Sequence, residues 1–157
     1  MNMRVERKRC LMVKGITCIC FDLLHAGHIL MLEDAKSQCD KLIVGLQTDP
    51  TIDRPEKNKP IQSFQERYIQ LSAVKYVDAV IKYETENELY ELLKVLRPNV
   101  RILGSDYEDG RYFTGDDLNI PIYFHKRDHN YSSTQIRKKI ESRFAAKFIE
   151  KIADKIK

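Results

Sequence analysis

Residues 13–38, VKGITCICFDLLHAGHILMLEDAKSQ, decide the fold. From Val13 to Phe21 the residues are mostly apolar or β-branched, as in a buried strand. Residues 22–25 break that pattern. From Ala26 to Gln38 the apolar residues Ile29, Leu32 and Ala35 recur at helical spacing, which predicts an amphipathic helix. A buried strand that runs directly into a helix is the opening half of a βαβ unit.

The same alternation continues downstream. Lys41–Leu46 (KLIVGL) reads as a second strand, and 48–60 (TDPTIDRPEKNKP) as a loop rich in Pro, Asp, Lys and Asn. That loop is long for a small domain, which points to a functional role. Ser63 predicts an N-cap with Glu66 as its capping-box partner, opening a helix to about Lys75. Asp78–Lys82 is a short strand, and Glu86–Leu96 a helix stopped by Pro98. Val100–Leu103 is a fourth strand and Ile120–Phe124 a fifth. The loop 104–119 between them holds three glycines and five acidic residues. A polar turn then leads to Ser132 or Ser133, either of which can cap a last helix. The expected fold is α/β: a Rossmann-like, parallel five-stranded sheet with helices on both faces. Ligands bind such sheets beyond the carboxyl ends of the strands. Segments 22–28, 48–60, 104–115 and 125–131 all follow strands, so they should meet there.

At 157 residues the chain suits one domain. The expected division is a basic N-terminal extension over 1–12, an α/β domain over 13–142 and a C-terminal amphipathic helix over 143–157. In that helix Phe144, Phe148, Ile152 and Ile156 share one face. No run of 18 or more apolar residues argues for a membrane span, and no long apolar stretch follows the basic start. The cytoplasm is therefore the expected location. The formal net charge of +4 suits an anionic substrate. The positive charge is not gathered into one block with interleaved aromatics, so nucleic acid is not expected as a partner. Cys10, Cys18, Cys20 and Cys39 form no CxxC pair and complete no zinc spacing with the histidines, so reduced thiols are expected.

His25-Ala26-Gly27-His28 stands where the first strand becomes the first helix. A helix start carries unpaired N–H groups and partial positive charge, so an anion is welcome there. Imidazoles at i and i+3 share a face of the first turn. Gly27 between them allows close approach of a ligand to the backbone. Such a pair can hold phosphate oxygens and donate more strongly as charge builds in a transition state. Asp22, just upstream, could orient a partner or help hold Mg²⁺.

The segment FDLLHAGH at 21–28 closely resembles the signature of the HxGH cytidylyltransferases, above all the glycerol-3-phosphate cytidylyltransferase group. LIVGLQTD at 42–49, SFQERYIQLSAVKYVDAVI at 63–81, RILGSDY at 101–107 and RDHNYSSTQIRKKI at 127–140 resemble further family segments, in the family's order. The resemblance implies transfer of CMP from CTP to a small phosphorylated alcohol, glycerol 3-phosphate or a related polyol or sugar phosphate, with release of pyrophosphate. It implies that His25, His28 and Arg127 are catalytic. It implies nucleotide or substrate contacts from Phe21, Asp22, Gly27, Lys57, Lys59, Arg67, Asp106, Ser132, Ser133 and Thr134. Mg²⁺, held mainly through the triphosphate, and a homodimer are implied as well.

Two features depart from the glycerol-3-phosphate pattern. Ile19 stands where the family usually carries Gly, and 111–121 (RYFTGDDLNIP) is atypical. His125 and His129 have no firm counterpart in that group. Two alternatives stay open. One is an adenylyltransferase that uses ATP on a sugar phosphate, because the related heptose and flavin enzymes share HxGH and the Ser/Thr-rich closing motif. The other is a non-catalytic nucleotide-binding module.

Overall fold

The computed structural model describes residues 11–156. Residues 1–10, with Cys10 and most of the expected N-terminal extension, lie outside the described residues, as does Lys157.

Five strands, β1 (Lys14–Ile19), β2 (Lys41–Gln47), β3 (Ala79–Tyr83), β4 (Val100–Gly104) and β5 (Ile122–His125), form one sheet in the order β3-β2-β1-β4-β5. Every pairing is parallel. The helices are α1 (Ala26–Ser37), α2 (Phe64–Ser72), α3 (Glu86–Leu96) and α4 (Ser133–Ile156), with short 3₁₀ turns at Ser105–Tyr107 and Asp116–Leu118.

The core shows why the sheet is covered twice. Along β2, Leu42, Val44 and Leu46 pack with Leu32 and Ala35 of α1 and Leu71 of α2. Ile43, on the opposite face, packs with Leu89 and Leu93 of α3 and Ile16 of β1. A strand buried on both faces by alternate residues is the pattern of a central parallel strand.

Element ends follow local chemistry. The capping box forms as expected: the Ser63 hydroxyl accepts from Glu66 N–H at 3.2 Å and the Glu66 carboxylate accepts from Ser63 N–H at 2.7 Å. This helix stops at Ser72, short of Lys75, as Ala73, Val74 and Val77 turn back on preceding carbonyls. β1 ends at Ile19 rather than Phe21, since Phe21 takes φ 51°. β5 begins at Ile122, not Ile120: Asn119 is left-handed at φ 52°, and Pro121 has no N–H to give a ladder.

The chain order reverses between β1 and β4, so the crevice outside their carboxyl ends is the topological switch point. A cleft of about 520 Å³ opens there. α4 runs unbroken through the expected 142/143 division, and Phe144, Phe148 and Ile152 lie exposed on it.

Candidate active site

The turn from β1 to α1 is strained and latched. Phe21 and Leu23 both have φ 51°, a left-handed conformation costing a non-glycine residue about 1–2 kcal/mol. Asp22 between them holds the turn in place. Its carboxylate accepts from Ile61 N–H at 3.1 Å and Gln62 N–H at 2.9 Å, and pairs with Arg137 of α4 at 2.5 Å. Burial pushes its pKa up, but these amides and the guanidinium more than offset that and bring it below the ordinary carboxylate value. One side chain thus ties β1, the segment before α2, and α4.

His25 is the N-cap of α1, and its Nδ1 accepts from Gly27 N–H at 3.1 Å. That bond leaves the neutral ring's proton on Nε2, a donor for a ligand. The His25 and His28 rings stack at 3.9 Å with 22° between planes, and Phe21 packs on His28 at 5.2 Å. Burial, then the neighbouring His25 and Arg127, pull the His28 pKa from 6.5 down to about 3. Burial, His129 and Arg127 lower that of His25. The pair is neutral at pH 7, so both rings can sit against each other without repulsion.

Gly27 has a different reason from the one expected. A Cβ there would meet His129 Cε1 at 2.6 Å and His25 Cε1 at 3.0 Å. The space over the glycine is filled by imidazoles. Gly27→Ala is therefore expected to push the His129 ring aside, crowd the His25 ring and cost about tenfold or more in turnover. The melting temperature should move by only a few degrees, because ring edges can shift; steady-state kinetics beside thermal denaturation checks this.

The closing segment completes the cleft. Ser132 Oγ accepts from Gln135 N–H at 3.1 Å, capping α4, and Ser133 Oγ donates to the Asp22 carbonyl at 3.0 Å. Ser132, Ser133 and Thr134 line the cleft with His25, Gly27 and His28. Arg127 and Asp106 line it too and stand 4.0 Å apart, both more than half exposed. His125 and His129 also reach the cleft. His125 Nδ1 meets the Asp34 carboxylate at 2.6 Å. Two helix starts, four histidines and three arginines thus face one space, an arrangement fit to grip a polyphosphate.

The sequence pattern of the cytidylyltransferase-like family matches residues 16–139. The chain belongs to this family. Among its relatives is the bifunctional protein HldE of Caulobacter vibrioides, 43% identical over 94 residues, which is 59% of this chain and 19% of that protein. HldE of Wolinella succinogenes is 37% identical over 123 residues, 78% of this chain and 26% of that protein. The chain therefore spans about a fifth to a quarter of the length of these relatives. Among solved structures, the lipopolysaccharide core biosynthesis protein from Thermoplasma volcanium superposes with a TM-score of 0.59 at 26% identity, covering 77% of this chain and 99% of that one. The pantoate-beta-alanine ligase of Francisella tularensis shares the fold, with a TM-score of 0.53 at 19% identity over 80% of this chain and 68% of that one.

Several residues carried over from the family sit elsewhere. Arg67 is 2% exposed and does not face the cleft. It donates to the carbonyls of Cys20, Gln47 and Thr48 at 2.8, 2.7 and 2.6 Å, and to that of Gln62 at 3.2 Å. Its charge is used to staple the ends of β1 and β2. Phe21 is 1% exposed and serves as a back wall to His28 rather than a ligand contact. Lys57 and Lys59 are exposed and off the cleft; Lys59 reaches Asp49 at 3.9 Å. Arg54, from the same loop, lines the cleft in their place, as does Arg101 of β4. A charged residue inside the apolar run VRILG was the readable signal for Arg101. Ile19, at the family's glycine position, lines the cleft mouth with an ordinary backbone.

Asp22 does not fit the magnesium role considered for it. Its oxygens are committed to two amides and Arg137. Glu86 is committed to Arg54 and Thr114, which leaves Asp106 as the uncommitted carboxylate lining the cleft apart from its long contact with Arg127. No group of three or more His, Cys, Asp or Glu could hold a metal among the described residues. The donor set is not a protein cage for Mg²⁺. No described helix is long and apolar enough to cross a membrane.

Proposed function

We propose that this chain transfers an adenylyl group from ATP to a sugar phosphate, releasing pyrophosphate and forming a nucleoside-diphosphate sugar. The reaction type is carried by the stacked His25–His28 pair at the start of α1, placed at the switch point of the sheet. The choice of ATP over CTP is supported by the relatives: they are HldE proteins, and a solved neighbour is a lipopolysaccharide core biosynthesis protein. These fit the heptose-type branch of the resemblance better than the glycerol-3-phosphate branch.

In this reading the acceptor phosphate attacks the α-phosphorus in line and no covalent enzyme intermediate forms. The chain supplies position and charge. His25 Nε2–H and His28 donate to the α-phosphate oxygens as charge builds on them. Arg127, with the Ser132–Thr134 helix start, holds the β- and γ-phosphates that depart. The homodimer belongs to the same proposal, with the exposed apolar stripe of α4 as its contact surface.

The test is pyrophosphate release with each of four nucleoside triphosphates against a panel of sugar 1-phosphates, glycerol 3-phosphate and other phosphorylated polyols. ATP with a sugar phosphate is the expected productive pair. Turnover with CTP and glycerol 3-phosphate, and none with ATP, overturns the proposal.

A further inference from the structure

The α3 side of the cleft holds a cationic cluster that the transfer step does not use. Arg101 projects from β4 and is 3% exposed. Its Nη1 donates to the Thr114 carbonyl, its guanidinium lies 5.2 Å from the Phe113 ring centre, and its buried Nε has no hydrogen-bond partner among the described residues. It makes no ion pair among the described residues. Arg54 joins it from the loop after β2. Arg54 Nη2 contacts Glu86 at 2.9 Å and Gln47 Oε1 at 3.0 Å, and its Nε is also buried without a partner among the described residues. Glu86 spends its other oxygen on the Thr114 hydroxyl at 2.5 Å.

Glu86 thus pairs with Arg54 and leaves Arg101 without a carboxylate among the described residues. Asp53, the next carboxylate, is exposed and spends its Oδ2 on the Glu86 N–H at 2.6 Å. Burial pushes the Cys18 thiol up to about 12 and drives the Tyr83 phenol higher still, so both stay neutral. A buried cation without a counter-ion is costly, and it is retained where a ligand brings the missing charge. Arg is the residue whose planar fork takes a carboxylate or phosphate in two parallel bonds. Arg101 lines a cleft with room for a sugar, and its buried Nε edge is the unpartnered half of such a fork.

The position separates this cluster from the reacting phosphate. The histidines lie at the start of α1. Arg101 stands three residues before the end of β4, roughly 10 Å back along the strand. It is tied to Thr114, whose neighbour Gly115 sits against Leu93 of α3. We infer that Arg101, with Arg54, binds a second anionic group on the acceptor, a phosphate or carboxylate remote from the phosphate that attacks. This rests on the nucleotidyl-transfer reading for the word acceptor, but the anion site can be measured without turnover.

The experiment is calorimetric binding of three sugars to the full chain: a hexose 1-phosphate, the corresponding 1,6-bisphosphate, and the hexuronate 1-phosphate. The wild type is expected to bind one doubly anionic sugar at least tenfold tighter than the monophosphate. The bisphosphate and hexuronate arms show whether phosphate or carboxylate is preferred. Arg101→Met should abolish the preference, and Arg101→Lys should restore part of it. Equal dissociation constants in the wild type, or no binding of either doubly anionic sugar at millimolar concentration, overturns the inference whether or not the variants fold. So does an Arg101→Met variant that weakens all three sugars alike, since a loop strut or a clamp on the reacting phosphate would act on all three. Pyrophosphate release with ATP, measured separately, decides the transfer reading: its absence with the sugar preference intact sinks that reading and leaves the anion site standing.

Discussion

His28→Ala is expected to lower turnover about 10²–10³-fold while the domain stays folded, the loss typical when one preorganised donor to developing charge is removed. The ring is held by packing, against His25 at 3.9 Å and Phe21 at 5.2 Å, and its Nδ1 makes no hydrogen bond among the described residues. Its removal therefore leaves no buried partner unsatisfied. The pH behaviour gives a second readout. With the folded pKa of His28 near 3 and the unfolded value near 6.5, the unfolded chain takes up a proton that the folded chain refuses. Stability is full above pH 6.5 and falls as pH drops through that window. Asp22 and Asp78 have lowered pKa values, and what they contribute is lost only as pH falls below the ordinary carboxylate value of 3.8. Between pH 6.5 and 4, the His28→Ala melting temperature should be less sensitive to acid than the wild type's. A variant that retained turnover within threefold would remove His28 from the reaction.

Much of this site was legible in the sequence because its parts are local. His25 and His28 fall on one turn of one helix, and the capping hydroxyl of Ser132 needs only the helix behind it, whereas the Ser133 hydroxyl reaches the distant Asp22 carbonyl. The parallel sheet was legible for the same reason, since each strand and helix announces its own period. What depended on contacts between distant segments was not legible. Asp22 looked like a metal or substrate group, yet its partners are Ile61, Gln62 and Arg137, 39 to 115 positions away. Gly27 looked like room for a ligand, yet the room is taken by His129 from the far loop. The exchange of Lys57 and Lys59 for Arg54 reflects loop geometry: Lys57 N–H bonds back to the Arg54 carbonyl, and this turn leaves Arg54 directed at Gln47 and Glu86.

Arg67 tests how far a family correspondence can be carried to a single side chain. A phosphate clamp predicts that Arg67→Met raises the KM for nucleotide and leaves stability alone. The geometry predicts the reverse. The guanidinium donates to four carbonyls, those of Cys20, Gln47, Thr48 and Gln62, and the side chain is among the largest that are fully buried. Hydrogen bonds to a charged donor contribute about 1.5–3 kcal/mol each, though they do not add, and stranded buried carbonyls keep their desolvation cost. A net loss of about 3–5 kcal/mol is expected, or roughly 10 °C in melting temperature for a domain of this size. Below that transition, calorimetry should find triphosphate affinity within about threefold of the wild type. An unchanged melting temperature with a tenfold weaker nucleotide would put Arg67 back at the phosphates. The staple also explains why a charge belongs there. The carbonyls at the ends of parallel strands β1 and β2 project past the ladder, and a five-donor fork satisfies several of them at once. Those same strand ends carry Phe21 and Asp22, so Arg67, buried away from the cleft, fixes the floor on which the histidines stand.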